Sequence, residues 1–276
     1  MLTRRIPMLF GLLTALALTS GAVVGEQKAD DWMLDIGAGA LEVRAGGIAD
    51  AVEGMAGSES SRFAMAYGTA PDSMLYTCGH YFGVAHYTLS LRRRVGEDWG
   101  WRVGLDPLRE FTSEAKIDMT GMGGQTLRQK WTFDANAVPV SAGLWKDAET
   151  RRGLVLRGRA SMGVTLIRAC LSVDRRFSGG GRNDHYGAHY PLSGWAPALD
   201  VSGSLGYRFW GWCEPFLEAG YFVVSPATLA FQNDADTNMD GRTEYYRGEE
   251  LTDRSRSDVT LDFSGGYVLL GLGLSL

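Results

Sequence analysis

Along most of this chain apolar residues recur at every second position, the period of a β-strand with one apolar face, and no stretch shows the 3.6-residue period of a helix. In Trp99-Gly100-Trp101-Arg102-Val103-Gly104-Leu105-Asp106, one face carries Trp99, Trp101, Val103 and Leu105, and the other carries Gly100, Arg102, Gly104 and Asp106. The same split sets Tyr81, Ala85, Tyr87, Leu89 and Leu91 against His86, Thr88, Ser90, Arg92 and Arg94. It returns with Leu154, Leu156, Ala160, Met162, Val164 and Leu166 against Arg157, Arg159, Ser161 and Thr165. Leu199, Val201 and Leu205 oppose Asp200, Ser202, Ser204 and Arg208, and Leu217, Tyr221 and Val223 oppose Glu218 and Gly220. A soluble sandwich also alternates, so other features must decide which face meets water.

Connection length is the first of them. Brief polar links at Gly96-Glu97-Asp98, Lys146 to Arg152 and Trp212-Cys213-Glu214 alternate with long ones at roughly 44 to 79, 115 to 125, 175 to 195 and 231 to 257. A strand on each side of every link gives eight, or ten if the segment from 44 to 79 hides a further hairpin. Tryptophan placement is the second: Trp32, Trp99, Trp101, Trp145, Trp210 and Trp212 lie beside the short links or at the start of the first strand. Indole prefers a boundary where the ring is half in lipid and its N–H stays wet, so these six would form a girdle at one rim. The third is the final strand, in which Val268, Leu270, Leu272, Leu274 and Leu276 make an unbroken apolar face. In a closed sheet it would pair with the first strand, Met33 to Val43. Glycine at 37 residues and proline at 8 suit a tightly bent sheet better than a disordered chain.

The N-terminus reads as a secretory leader over residues 1–25. Arg4 and Arg5 precede an apolar run from Met8 to Leu18 that is too short to span a bilayer, and small residues follow it. Residues 26–276 would then be the mature domain. The whole chain carries a net charge of −5, and loss of Arg4 and Arg5 makes the mature part more acidic, which argues against nucleic acid as a partner. Three cysteines are too few for a disulfide scaffold, and Cys78 with Cys170 is the only pair this topology puts at one end.

On these residues the chain resembles the small outer-membrane β-barrel proteins, the eight-stranded class with OmpA-like and OmpX-type members. The resemblance is one of architecture over nearly the whole mature chain. It implies an all-β, closed antiparallel transmembrane barrel in the outer membrane, monomeric and with lipid around it. It also implies insertion by the barrel-assembly machinery, which reads a final strand like 268 to 276. The family usually ends in an aromatic residue, where this chain has Leu276.

Within such a barrel Arg92, Arg94, Arg102, Arg157, Arg159 and Arg208 would face inward, near Asp106, Glu110, Asp200 and Glu218. An eight-strand interior is filled by side chains, so these charges should pair and plug the lumen, with a narrow gated channel as the alternative. In the last long loop Asp236, Asn238 and Asp240 followed by Gly241 reproduce half of an EF-hand-type calcium loop, although Arg247 stands where the bidentate acid belongs. No other cofactor is indicated. His185 and His189 are four apart in a glycine-rich context that reads as loop. His86 has Thr88 and no serine at the same-face spacing, and no activated nucleophile or paired-acid set stands out. The expectation is a non-enzymatic barrel with a structural or surface-binding role carried by its external loops. The alternatives are a lipid-modifying, deacylase-like enzyme and a secreted lipocalin-like barrel with an apolar lumen.

Overall fold

The computed structural model describes residues 32–276 apart from 45, 69–70, 78–79, 151–152, 210–211, 239–240 and 253–257. The expected leader lies outside the described residues, as do Cys78, Trp210 and Asp240. The elements in chain order are β1 (Trp32–Arg44), α1 (Gly46–Tyr67), β2 (Pro71–Thr77), β3 (His80–Arg94), β4 (Trp99–Leu105), β5 (Leu108–Thr120) and β6 (Thr126–Glu149). They continue with β7 (Leu154–Gly179), β8 (Arg182–Tyr207), β9 (Cys213–Val224), β10 (Ala227–Thr228), β11 (Ala230–Phe231), β12 (Thr260–Leu261) and β13 (Gly265–Ser275).

Pairing runs β1-β13-β9-β8-β7-β6-β4-β3, and β3 returns to β1, so these eight strands close an antiparallel ring. The segment from 44 to 79 does hold extra structure, but not a ninth and tenth wall strand. It forms α1 and then β2, which pairs with β5 outside the ring. β4 and β5 behave as one wall strand interrupted at Asp106-Pro107, since both lie along β6 in sequence. The strand ends that flank 95–98, 150–153 and 208–212 lie at one end, where the amide of Leu276 also bonds the carbonyl of Trp32. Outer-membrane barrels keep their short turns on the periplasmic side, which orients the molecule.

Near that end the alternation runs apolar outward and polar inward. Leu89, Val103, Leu144, Met162, Val201 and Leu217 are exposed on the outer wall, whereas Ser90, Arg92, Arg102, Arg157, Asp200 and Glu218 are buried inside. A greasy outside and a polar lumen belong in lipid, and they exclude a soluble barrel with an apolar interior.

Further along the same strands the polarity inverts without any change of register. On β6 the outward residues pass from Leu144, Ala142, Val140 and Val138 to Asn136, Asp134, Thr132 and Lys130. The inward ones pass from Asp147 and Ser141 to Ala137, Ala135, Phe133, Trp131 and Leu127. The pairing of β6 with β7 is unbroken from Thr126 to Glu149, so this strand has no bulge near Ala135 to Pro139. The irregularity is in its partner, between Leu108 and Phe111 of β5. Broken alternation in the sequence therefore records the strand leaving one medium for another. Neighbouring strands change at the same level: Val138 pairs with Leu166 and Leu166 with Trp195, while one row above Asn136 pairs with Arg168 and Arg168 with Ser193.

Above this row the chain is built as a water-soluble protein. The links expected at 115 to 125 and 175 to 195 are hairpins of strand, with β5 turning into β6 at 121–125 and β7 into β8 at Gly180-Gly181. Both glycines have positive φ, 60° and 80°, which a two-residue type I′ turn requires. Their surroundings read as loop because the outward side chains here are charged. On the inner face Ile117, Met119, Leu127, Phe133 and Leu171 join Val52, Ala56 and Phe63 of α1 in one apolar core. Each large side chain so buried contributes about 1.5–3 kcal/mol, so the projecting sheet needs its helix and no lipid.

A charge on the outer wall should report this division. Met162→Arg, at the middle of the lipid-facing part of β7, is expected to cost about 2–4 kcal/mol in urea unfolding from lipid vesicles. Asn136→Arg, above the boundary row, should cost less than about 0.5 kcal/mol.

Candidate functional site

The inward face of the lower barrel assembles two groups of ionised side chains. Nearest the periplasm, the fully buried carboxylate of Glu214 on β9 accepts from three arginines. Arg92 Nη2 and Arg157 Nη1 lie 2.9 Å from Oε1, and Arg208 Nη2 lies 3.2 Å from Oε2. Each guanidinium then reaches a second acid. Arg92 Nε meets Asp35 at 2.9 Å, Arg157 Nε meets Asp147 at 2.6 Å and Arg208 Nη1 meets Glu149 at 2.6 Å. Arg94 adds a contact to Asp147 at 3.4 Å. Four cations and four anions, from five wall strands and the link that follows β8, therefore neutralise one another across the lumen.

Trp145 belongs to this group and not to the girdle in which the sequence reading placed it. It has the same parity on β6 as Ser141 and Asp147, so its ring points inward. Its Nε1 donates to the Trp101 carbonyl at 3.2 Å. The guanidiniums of Arg92, Arg94 and Arg157 stand 5.8, 5.5 and 5.4 Å from its ring centre, a cation–π arrangement at the periplasmic end of the lumen. Gly100 makes room for it, because a Cβ there would stand 2.6 Å from the indole. Trp32, Trp99, Trp101 and Trp212 lie toward the outer rim. Trp32 and Trp101 meet edge to face at 5.2 Å, and Trp99 and Trp212 are exposed.

The second group lies midway up. Arg159 bridges Asp200 and Glu218, with Nη2 2.7 Å from Glu218 Oε1. The Tyr267 hydroxyl lies 2.8 Å from Asp200 Oδ1 and 2.9 Å from Glu218 Oε1 and accepts from Arg159, so one phenolic proton serves two carboxylates. Arg102 binds Asp106 at 3.0 Å and Thr88 at 2.9 Å, and the His86 ring stacks on Tyr267 at 4.8 Å.

The sequence reading named the arginines more completely than their acids. Asp35, Asp147, Glu149, Glu214 and Tyr267 were missed, although each shares the inward parity of a named neighbour or strand. Asp35 alternates with Leu34 and Ile36, but Glu214 sits beside a turn, where parity is hard to read. The side chain of Glu110 lies outside the described residues.

Above the membrane boundary the described residues between 232 and 258 fold over the sheet beside α1. Tyr190 donates to the Asp236 carbonyl at 2.6 Å, and burial raises this phenol above its ordinary pKa, so it remains a donor. The Asp236 carboxylate accepts from the Gly241 amide at 2.7 Å, and the Asn238 carbonyl accepts from Arg175. Among the described residues no three His, Cys, Asp or Glu side chains converge as a metal site, and Asp240 lies outside them. His185 and His189 both stand on β8 and not in a loop, and each bonds a different residue of β7. His185 Nε2 lies 3.2 Å from Asp174, and His189 Nδ1 lies 2.8 Å from Ser172. Cys170 and Cys213 form no disulfide among the described residues. Between α1 and the 232–258 segment opens a cleft of about 810 Å³ with Met55, Trp131 and Tyr245 in its lining.

No family model and no curated protein matches the chain. Solved structures do align with it. The attachment invasion locus protein Ail of Yersinia pestis aligns at 12% identity and TM-score 0.37, over 90% of this chain and 100% of its own. The outer membrane protein OprG from Pseudomonas aeruginosa aligns at 11% and 0.43, over 91% and 97%. The outer membrane protease OmpT from Escherichia coli aligns at 9% and 0.31, over 92% and 99%. The reading of the fold as a closed barrel rests on this chain's own pairing.

Two substitutions probe the lumen. Glu214→Ala leaves three buried guanidiniums under-compensated and should cost about 3–5 kcal/mol, measured by urea unfolding in detergent micelles. Tyr267→Phe removes the donor shared by Asp200 and Glu218 and should cost about 1–3 kcal/mol in the same assay.

Proposed function

We propose that this is an outer-membrane barrel without catalytic activity, closed to solutes along its axis, that acts through the folded cap its strands carry above the membrane. The observation that supports this reading is the carboxylate of Glu214, fully buried and held by Arg92, Arg157 and Arg208. A lumen occupied by interlocked side chains has no room for a hydrated ion unless several ion pairs break together. Each such break leaves a buried charge uncompensated, at several kcal/mol.

The cap supplies what the lumen lacks. Its strands extend well beyond the bilayer, their outer faces are polar, and α1 with the 232–258 segment encloses a cleft at the sheet's inner face. Such a platform presents surface to molecules outside the cell. The partner at the periplasmic side is limited to the assembly machinery during insertion, and outer-membrane lipid surrounds the wall.

Reconstituted into planar bilayers, the purified protein is expected to give no steady conductance, and incubation with lipopolysaccharide or phospholipid should release no acyl chains. Stable unitary currents would overturn the closed lumen, and acyl release would overturn the non-enzymatic reading.

A further inference from the structure

The ring has no edge, but the sheet of the cap has one on β8. One side of β8 is paired with β7 along its whole length, and the other is taken by β9 at Ala198–Gly206 and by β11 at Leu192 and Ser193. From Arg182 to Tyr190 that second side has no main-chain partner among the described residues. The two-residue turn at Gly180-Gly181 sets which groups face it. Arg182 and every second residue after it bond β7, so Asn183, His185, Gly187 and His189 direct their N–H and C=O groups to the open side. Pro191 has the same parity, and its carbonyl accepts the Gln232 amide on that side at 2.9 Å.

Folded proteins guard exposed edges with proline, lysine or a bulge. Residues 182–190 contain no proline and no lysine, and their register with β7 is unbroken. The imidazoles on their outer face are drawn back from the edge: His185 Nε2 lies against Asp174 and His189 Nδ1 against Ser172, both on β7. Gly187 between them carries no side chain, and a Cβ there would meet nothing nearer than 4.0 Å, so packing does not demand glycine at this position. The edge is clear for another strand to approach.

Its pattern is complementary to itself. An antiparallel copy centred on Tyr186 sets Asn183 opposite His189 and His185 opposite Gly187, so every edge-directed residue exchanges both its hydrogen bonds. On the other face the half-exposed Tyr186 meets its own image and Asp184 meets Ala188, and no like charges are opposed. Strand direction then decides where the second copy stands. β8 descends from the cap to the periplasmic end, so copies in one membrane carry it in the same sense and cannot pair it antiparallel. Copies in two facing membranes carry it in opposite senses.

We propose that the edge at 182–190 joins two copies of this protein anchored in apposed membranes, one sheet running through both caps. A single ladder is small, so attachment gains its strength from many copies meeting across one gap. The inference deepens the surface-binding reading above and rests on it.

The test uses two populations of phosphatidylcholine vesicles with different fluorophores, both carrying the full-length protein, and follows clustering by fluorescence cross-correlation. Clusters should form only when both populations carry protein. Gly187→Pro removes one edge-directed N–H without touching the ladder to β7, and should reduce clustering roughly tenfold or more with an unchanged circular dichroism spectrum. With the native cysteines replaced by serine, Tyr186→Cys should give an intermolecular disulfide when the vesicles are mixed, because the symmetry axis passes through this residue. Asp184→Cys, four residues from its own image, should give none. Absence of clusters, clustering with protein on one population alone, clustering unchanged by Gly187→Pro, or equal cross-linking at both positions overturns the proposal. A silent bilayer alongside any of these removes the contact between copies alone, whereas a conducting one removes the parent reading whatever the vesicles do.

Discussion

A strand in hydrocarbon has no water to satisfy its amides, so a membrane sheet must have no edge, and the closure of β1 onto both β13 and β3 is what the rest of this structure depends on. The seam with β13 is close: a Cβ on Gly39 would stand 2.0 Å from the Val268 carbonyl, so only glycine permits the approach. Closing with eight strands also sets the bore. An interior of that width is filled by side chains, which makes the choice of inward residues a packing problem as much as an electrostatic one.

The packing solution uses arginine and carboxylate where a soluble protein would use leucine. Taking a guanidinium out of water costs several kcal/mol, and the cost is offset only when its several donors find acceptors. Arg157 meets this condition by bridging Glu214 to Asp147, and Arg92 places its Nε and Nη2 on Asp35 and Glu214. Because the partners come from different strands, the pairs also tie the wall together across the bore. The mid-barrel group does the same with Arg159, Asp200, Glu218 and Tyr267 from four strands. Polar side chains inside such a barrel thus take the structural part that an apolar core plays elsewhere.

Much of the wall was legible from period alone. Parity placed Arg102 opposite Val103 and Asp200 opposite Val201, and the structure has the charged member of each pair inside. Where parity was set aside, the reading failed: Trp145 was assigned by its nearness to a turn, and its position two residues from Asp147 points it into the lumen. The cap was least legible. Strand outside the membrane exchanges its apolar and polar faces, so 126 to 145 read as broken and the stretch around His185 read as loop. α1 carries no strong amphipathic pattern, because glycine, serine and alanine make up much of it. Its place is decided by the core beneath it. The cleft it borders is assembled from segments nearly two hundred residues apart, a juxtaposition that no local pattern encodes.

The exchange of faces along β6 and β7 has a consequence for how the chain finds its alignment. Slipping one strand past its neighbour by a single residue turns every side chain to the opposite face. Below the boundary that slip would drive Arg157 and Asp147 into hydrocarbon; above it, the same slip would bring Phe133 and Leu171 out into water. Two immiscible solvents, acting on one uninterrupted ladder from opposite sides, reject the same error. An ordinary barrel strand is proofread by lipid alone, and these long strands are proofread twice.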